Sequence, residues 1–385
     1  MFQLDTLLRP HIAALVPYSS ARDEYTGTVG VFLDANENPL GSTTTEGDYN
    51  RYPDPHQQAI KQRLAPIKGV RPEQIFLGNG SDEPIDLLVR ATCRPGLDGP
   101  SQDGPGVDHI LIMPPTYGMY EVSASINDVA ITKVPLTPDF QVDTDAVLAA
   151  ITDTTKLIFL CSPNNPSGNL LHPDAIRRIL EAAQTALVIV DEAYIDFADV
   201  PSWAAQLDQY PNLVVLQTFS KAWGLAGLRL GMCFASPELI AVMNKIKPPY
   251  NISAPTQALA LDALTHEADK RQMVSEIMAE RQWLADALQT LPIVQHIHPS
   301  DANFLLVRFA DAKGTFKYLI DQQVIVRDRS SVKLCDGCLR ITIGTRAENE
   351  RLIEVLRHPA PVPADDQLPL GTGDQATKPE LVSND

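Results

Sequence analysis

Five short apolar runs at 75–77, 110–113, 157–160, 187–190 and 213–216 constrain this chain more than any other feature. None alternates polar with apolar residues, so each reads as a strand buried on both faces. Between them lie stretches of helical periodicity, among them 84–93, 173–184 and 237–247. Strands buried on both faces and separated by helices imply an α/β fold with a parallel or mostly parallel sheet flanked by helices. Such sheets bind ligands beyond the carboxyl ends of their strands, so those positions are where a site is sought.

The residues just past each run are unusually rich in chemistry. After 75–77 comes Gly78-Asn-Gly-Ser-Asp-Glu83 and then a helix, whose first amides form an anion site. After 110–113, Pro114-Pro-Thr-Tyr-Gly118 sets Tyr117 at the same edge, able to stack on a planar ring. After 157–160, Cys161-Ser-Pro-Asn-Asn-Pro166 fixes two amides between prolines, Asn165 among them. After 187–190, Asp191 ends the strand and is followed by Tyr194; an acid there is costly to bury without a cationic partner. After 213–216 come Ser220, Lys221 and Arg229, in a stretch that carries three glycines, Gly224, Gly227 and Gly231. A lysine in that company suits covalent capture of an aldehyde cofactor whose phosphate its neighbours hold.

Composition narrows the partners. Lys and Arg number 31 against 48 Asp and Glu, a formal charge of −17, which disfavours nucleic acid and anionic membranes. No apolar run reaches the ~20 residues that span a bilayer, and the first residues lack a signal-peptide pattern, so a cytoplasmic protein is expected. Cys335 and Cys338 have redox or zinc spacing without a second pair, and a plain turn is the expected reading. No metal site is expected.

Beyond about residue 255 the pattern changes to a helical block, including a long amphipathic stretch near 269–290. Strand-like segments follow at 303–307, 324–326 and 339–343, then a last helix at 347–357. Four parts are expected: an arm at 1–36, a large domain at 37–255, a smaller α+β domain at 256–358, and a disordered acidic, proline-rich tail at 359–385. The glycine-rich insertion at 96–106 reads as a flexible surface loop.

In order and identity, this set of strand-end residues resembles the fold-type-I pyridoxal-phosphate aminotransferases. Within them the chain is similar to the histidinol-phosphate aminotransferases, on Asp34-Ala-Asn-Glu-Asn-Pro39, Arg51-Tyr-Pro53, Pro114-Pro-Thr-Tyr-Gly-Met-Tyr120, Cys161-Ser-Pro-Asn-Asn-Pro166, Asp191-Glu-Ala-Tyr194, Ser220-Lys221, Leu225-Ala-Gly-Leu-Arg229 and Gly337-Cys-Leu-Arg-Ile-Thr342. The resemblance implies a large domain with a mostly parallel seven-stranded sheet and a smaller α+β domain. It implies pyridoxal 5'-phosphate as cofactor, and transfer of an amino group from histidinol phosphate to 2-oxoglutarate, giving glutamate, in histidine biosynthesis. Other aminotransferases, and decarboxylases of phosphorylated amino acids, would need the same lysine.

The resemblance also implies roles. Lys221 would bind the cofactor aldehyde and move the substrate proton, Asp191 would face the ring nitrogen, and Asn165 and Tyr194 the ring oxygen. Tyr117 would stack on the ring. Ser81, the backbone at Asp82, Ser220 and Arg229 would hold the phosphate. Arg340 and Arg327, with Asn165, would bind the anionic end of the substrate, while Arg329 and Arg346 read as structural. Tyr18 and Tyr52 would come from the neighbouring subunit, Tyr18 to the substrate and Tyr52 to the cofactor phosphate, which makes the expected assembly a homodimer with a dimer-crossing arm packed on the smaller domain.

Overall fold

The computed structural model describes residues 2–24, 30–44, 47, 49–96 and 107–357. The acidic tail and nearly all of the 96–106 loop lie outside the described residues. Short helices α1 (Leu4–Leu7), α2 (Pro10–Ala13) and α3 (Ala21–Glu24) form the arm, and α4 (Gln58–Lys68) leads into the alternating region. That region runs β1 (Ile75–Asn79), α5 (Asp82–Thr92), β2 (His109–Ile112), α6 (Met119–Ile126), β3 (Ala130–Lys133), α7 (Thr144–Ala150), β4 (Thr155–Cys161), α8 (Pro173–Ala182), β5 (Leu187–Asp191), β6 (Leu213–Thr218), β7 (Leu230–Phe234) and α9 (Pro237–Ile246). The strands form one seven-stranded sheet in the order β1-β7-β6-β5-β4-β2-β3. Only β7 runs against its neighbours, so the sheet is mostly parallel as expected.

Strands β5 and β6 are buried at every position, which is why their sequences show no polar alternation. Their two faces feed two hydrophobic cores, one around Val188, Val190 and Val215, the other around Ile189, Val214 and Leu216. Each such side chain contributes about 1.5–3 kcal/mol on burial. Helix α8 covers one face: Pro173 starts it where no N–H is needed, and Ile176, Ile179 and Leu180 point into the core.

After α10 (Ala254–Ala263) and the 23-residue α11 (Glu267–Gln289), a second unit follows: β8 (Val294–Ile297), β9 (Phe304–Phe309), α12 (Ala312–Asp321), β10 (Arg327–Asp328), β11 (Cys338–Thr342) and α13 (Arg346–Arg357). Its antiparallel sheet runs β10-β11-β9-β8 and carries its own core around Leu305, Val307, Leu339 and Ile341. Ala260 of α10 and Leu264 just past it pack in a core of the large unit, which Leu306 and Cys338 of the second unit also join.

Three local expectations are corrected. The segment 324–326 is not a strand: Gln323 has φ +60° and the Val324 N–H closes α12 on Leu319, which delays pairing to Arg327. The arm packs on the large unit rather than the smaller one. Leu8 meets Ala91 and Val242, Arg9 N–H donates to the Ala91 carbonyl, and Lys245 Nζ donates to the Ile12 and Ala13 carbonyls. Strands β3 and β7 complete the sheet although neither stood out as an apolar run. At Cys335–Cys338 the structure has a turn closed by a 2.9 Å backbone bond, and both thiols are free and buried.

Candidate active site

The carboxyl ends of β1, β4, β5 and β6 surround a cavity of about 210 Å³ lined by Ser81, Asp82, Tyr117, Asn165, Asp191, Tyr194, Ser220, Lys221 and Arg229. Nine of the residues singled out from the sequence therefore converge, although they span 149 positions of chain.

Asp191 closes β5 and is only 2% exposed. Burial pushes its carboxyl up to about 6, against hydrogen bonds from the Tyr120 hydroxyl and the Ala193 N–H that stabilise the anion. Tyr120, which sequence reasoning left without a role, is fully buried. It stacks on Phe159 at 4.5 Å and donates to Asp191 Oδ2 at 2.6 Å. The signal that could have exposed it is its place three residues after Tyr117, in the first turn of α6, where it is buried. Replacing Tyr120 with Phe removes a charge-assisted bond of about 1.5–3 kcal/mol. We expect the Asp191 titration in the cofactor-free protein, followed by carboxylate infrared or carbon NMR, to move upward from about 6; an unmoved titration contradicts this linkage.

Lys221 stands open at the cavity rim, its Nζ 5.5 Å from the centre of the Tyr194 ring. Partial desolvation in the recess, and then the cations Arg340 and Arg229, hold its ammonium below the usual lysine range. Tyr194 is buried, edge-on to Phe304 at 5.1 Å, and burial raises its phenol.

At the opposite end, α5 presents its first turn, whose amides have no intrahelical acceptors. Ser81 sits at the N-cap without a capping bond from its hydroxyl. Arg229 adopts φ +51°, and its carbonyl accepts from Gly80 N–H at 2.7 Å. Its guanidinium lies 3.7 Å from Asp82, which also accepts from Tyr117 Oη at 3.0 Å. Glycine is required in this cradle. Gly80 holds φ +71°, and a Cβ on Gly231 would come within 2.3 Å of the Gly80 backbone. Open amides, a hydroxyl, an arginine and close-set backbone fit a phosphate. The lysine fits an aldehyde and the buried acid a protonated ring nitrogen, so the donor set suits pyridoxal 5'-phosphate.

On the rim, Arg340 of β11 donates to Asn165 Oδ1 at 2.5 Å and lies over the Phe304 ring at 5.2 Å. That leaves the Asn165 amide N–H groups for a ligand. Arg327 stands opposite Arg340 in the β10–β11 register and is exposed. Tyr18 and Tyr52 are not brought to this cavity. Tyr18 is 76% exposed beside a separate cleft of about 460 Å³ near Pro55 and Lys247; Tyr52 is 51% exposed and stacked on Tyr250 at 4.4 Å. Arg346 is bound to Glu280 and lies over Trp283. Among the described residues no cluster of metal-ligating side chains is found, and no helix is long and apolar enough to cross a membrane.

A family model for class I and II aminotransferases matches residues 23–356. A protein of Cytophaga hutchinsonii named histidinol-phosphate aminotransferase is 58% identical, the match covering 92% of this chain and 99% of that one. One of the same name from Parabacteroides distasonis is 51% identical over 93% and 99% of the two chains. Among solved structures, the histidinol-phosphate aminotransferase of Sinorhizobium meliloti in complex with pyridoxal-5'-phosphate superposes with a TM-score of 0.70 at 25% identity, covering 91% of this chain and 98% of that one.

Proposed function

The chain belongs to the class I and II aminotransferases and, within them, to the histidinol-phosphate aminotransferases, and on that footing we propose how its residues divide the transfer of an amino group from histidinol phosphate to 2-oxoglutarate. The observation that carries this division is one cavity joining a lysine, a buried acid and a helix-end anion cradle, with Arg340 tethered to Asn165 at its rim. Pyridoxal 5'-phosphate, when bound, supplies an aldehyde that captures the substrate amine and a ring that withdraws electrons from its Cα.

The chain's own residues do the rest. Lys221, its basicity lowered by partial desolvation in the recess and by Arg340 and Arg229, is the base that takes the Cα proton and returns it on the far side of the transfer. Asp191 holds positive charge at the ring nitrogen, and that charge offsets the cost of burying the carboxylate. Tyr117 lies along the ring, while Asn165 and Tyr194 donate to its oxygen. Ser81, the Asp82 amide, Ser220 and Arg229 hold the cofactor phosphate. Arg340 and Arg327 bind the anionic end of the substrate, which is a phosphate in one half-reaction and a carboxylate in the other.

The exposure of Tyr18 and Tyr52 away from their own cavity supports a homodimer in which each reaches the partner's site. The free cysteines and the −17 charge support a cytoplasmic protein acting on small molecules rather than on nucleic acid or a membrane. Expression in a histidine-requiring strain that lacks this step tests the reading. Growth without histidine is expected; expressed protein with no growth overturns it.

A further inference from the structure

The smaller sheet gathers arginines on one face. Arg327 pairs with Arg340 across β10–β11, and Arg340 pairs with Leu306 of β9. Directly paired residues share a face, and so do residues two apart on a strand. The ladder extends one step past β10, where the Arg329 N–H donates to the Cys338 carbonyl at 3.0 Å. Arg329 therefore lies on the face of Arg327 and Arg340. That face is turned toward the large unit, because Leu306 and Cys338 pack in its core.

Arg340 is tied to Asn165 and Arg346 to Glu280. The Arg329 guanidinium differs: it is half-buried, and it has no hydrogen bond like those of Arg340 and Arg346 among the described residues, although the adjacent Asp328 carboxylate feels its charge. The ladder sets it two residues from Arg327 and one pairing step from Arg340, which is tied to the cavity-lining Asn165, and its charge acts on Arg340 and on the Tyr194 hydroxyl. A half-buried cation beside other cations raises the energy of the empty site, and an arriving anion relieves that.

We propose that Arg329 is a third arginine contact for the anionic end of the substrate, acting with Arg340 and Arg327 and favouring a phosphate ester over a carboxylate. The preference follows from charge: a phosphate monoester carries roughly −1.5 to −2 at neutral pH and offers three acceptor oxygens, whereas a carboxylate carries a single charge. Arg329 is on this view a specificity-determining residue, and the inference rests on the proposed reaction.

The test is a set of steady-state measurements on Arg329→Gln and Arg329→Lys with both amino donors. Arg329→Gln should raise KM for histidinol phosphate by about tenfold or more, the loss of one charge-assisted contact, and raise KM for glutamate by a smaller factor. Arg329→Lys, which keeps the charge, should recover most of the difference. Binding of inorganic phosphate to the holoenzyme, followed by calorimetry, should weaken in parallel. If Arg329→Gln leaves the ratio of the two KM values and the phosphate affinity unchanged, the inference is overturned. If the unsubstituted protein does not turn over histidinol phosphate at all, the proposed reaction fails instead, and phosphate affinity alone decides the role of Arg329.

Discussion

Replacing Lys221 with Ala should abolish transamination, lowering kcat by about 10⁴-fold or more, because in the proposed division of roles one side chain serves both covalent capture and proton transfer. The effect should not be a folding defect. Lys221 stands exposed at the cavity rim and follows a strand that is buried at every position. The cofactor-free variant is therefore expected to melt within a few degrees of the parent. Two readouts separate this assignment from general damage to the site. The long-wavelength absorption that pyridoxal 5'-phosphate gains on the parent should be missing in the variant. Borohydride reduction of the parent should fix a pyridoxyl group on the peptide containing Lys221, and labelling of another lysine instead contradicts the assignment.

Asp191→Asn should cost about 10²–10⁴-fold in kcat, since an amide cannot hold a positive charge at the ring nitrogen. Stability should move differently. The folded carboxyl titrates near 6 while an unfolded aspartate titrates near 4, so the native state binds the proton more tightly. Stability contributed by this group is then present below about pH 4 and lost as pH rises through about 6. In the cofactor-free protein, removing the charge should leave the variant at least as stable as the parent at pH 8, with that relative standing falling as pH drops toward 4. Thermal melts at pH 4.5 and 8 check this. A large loss of stability confined to pH 8 would show that Asp191 is ionised and well compensated without cofactor, contrary to this account.

Much of this was legible in the chain, for identifiable reasons. Strands β4, β5 and β6 announce themselves because double burial leaves no room for polar residues, and each ends on a residue that reaches the cavity. Strand β3 was silent because it is a partly exposed edge, Ala130–Lys133, with no apolar run. Strand β7 was hidden for another reason: Leu230–Phe234 directly follows Arg229 and carries a glycine at its second position, so no uninterrupted apolar run marks this buried antiparallel strand. That glycine, Gly231, is what allows the strand to pass the Gly80 backbone. Tyr120 went unassigned because its importance lies in a partner distant in sequence, 71 residues away in the Tyr120–Asp191 bond. Packing of the arm on α5 and α9 likewise depends on tertiary contacts that no local pattern encodes.

The most direct measurement incubates the purified holoenzyme with histidinol phosphate and 2-oxoglutarate and follows both products over time. The account predicts glutamate and imidazole-acetol phosphate in equal amounts, with no turnover by Lys221→Ala. Glutamate formed from an aromatic amino acid but none from histidinol phosphate would contradict it.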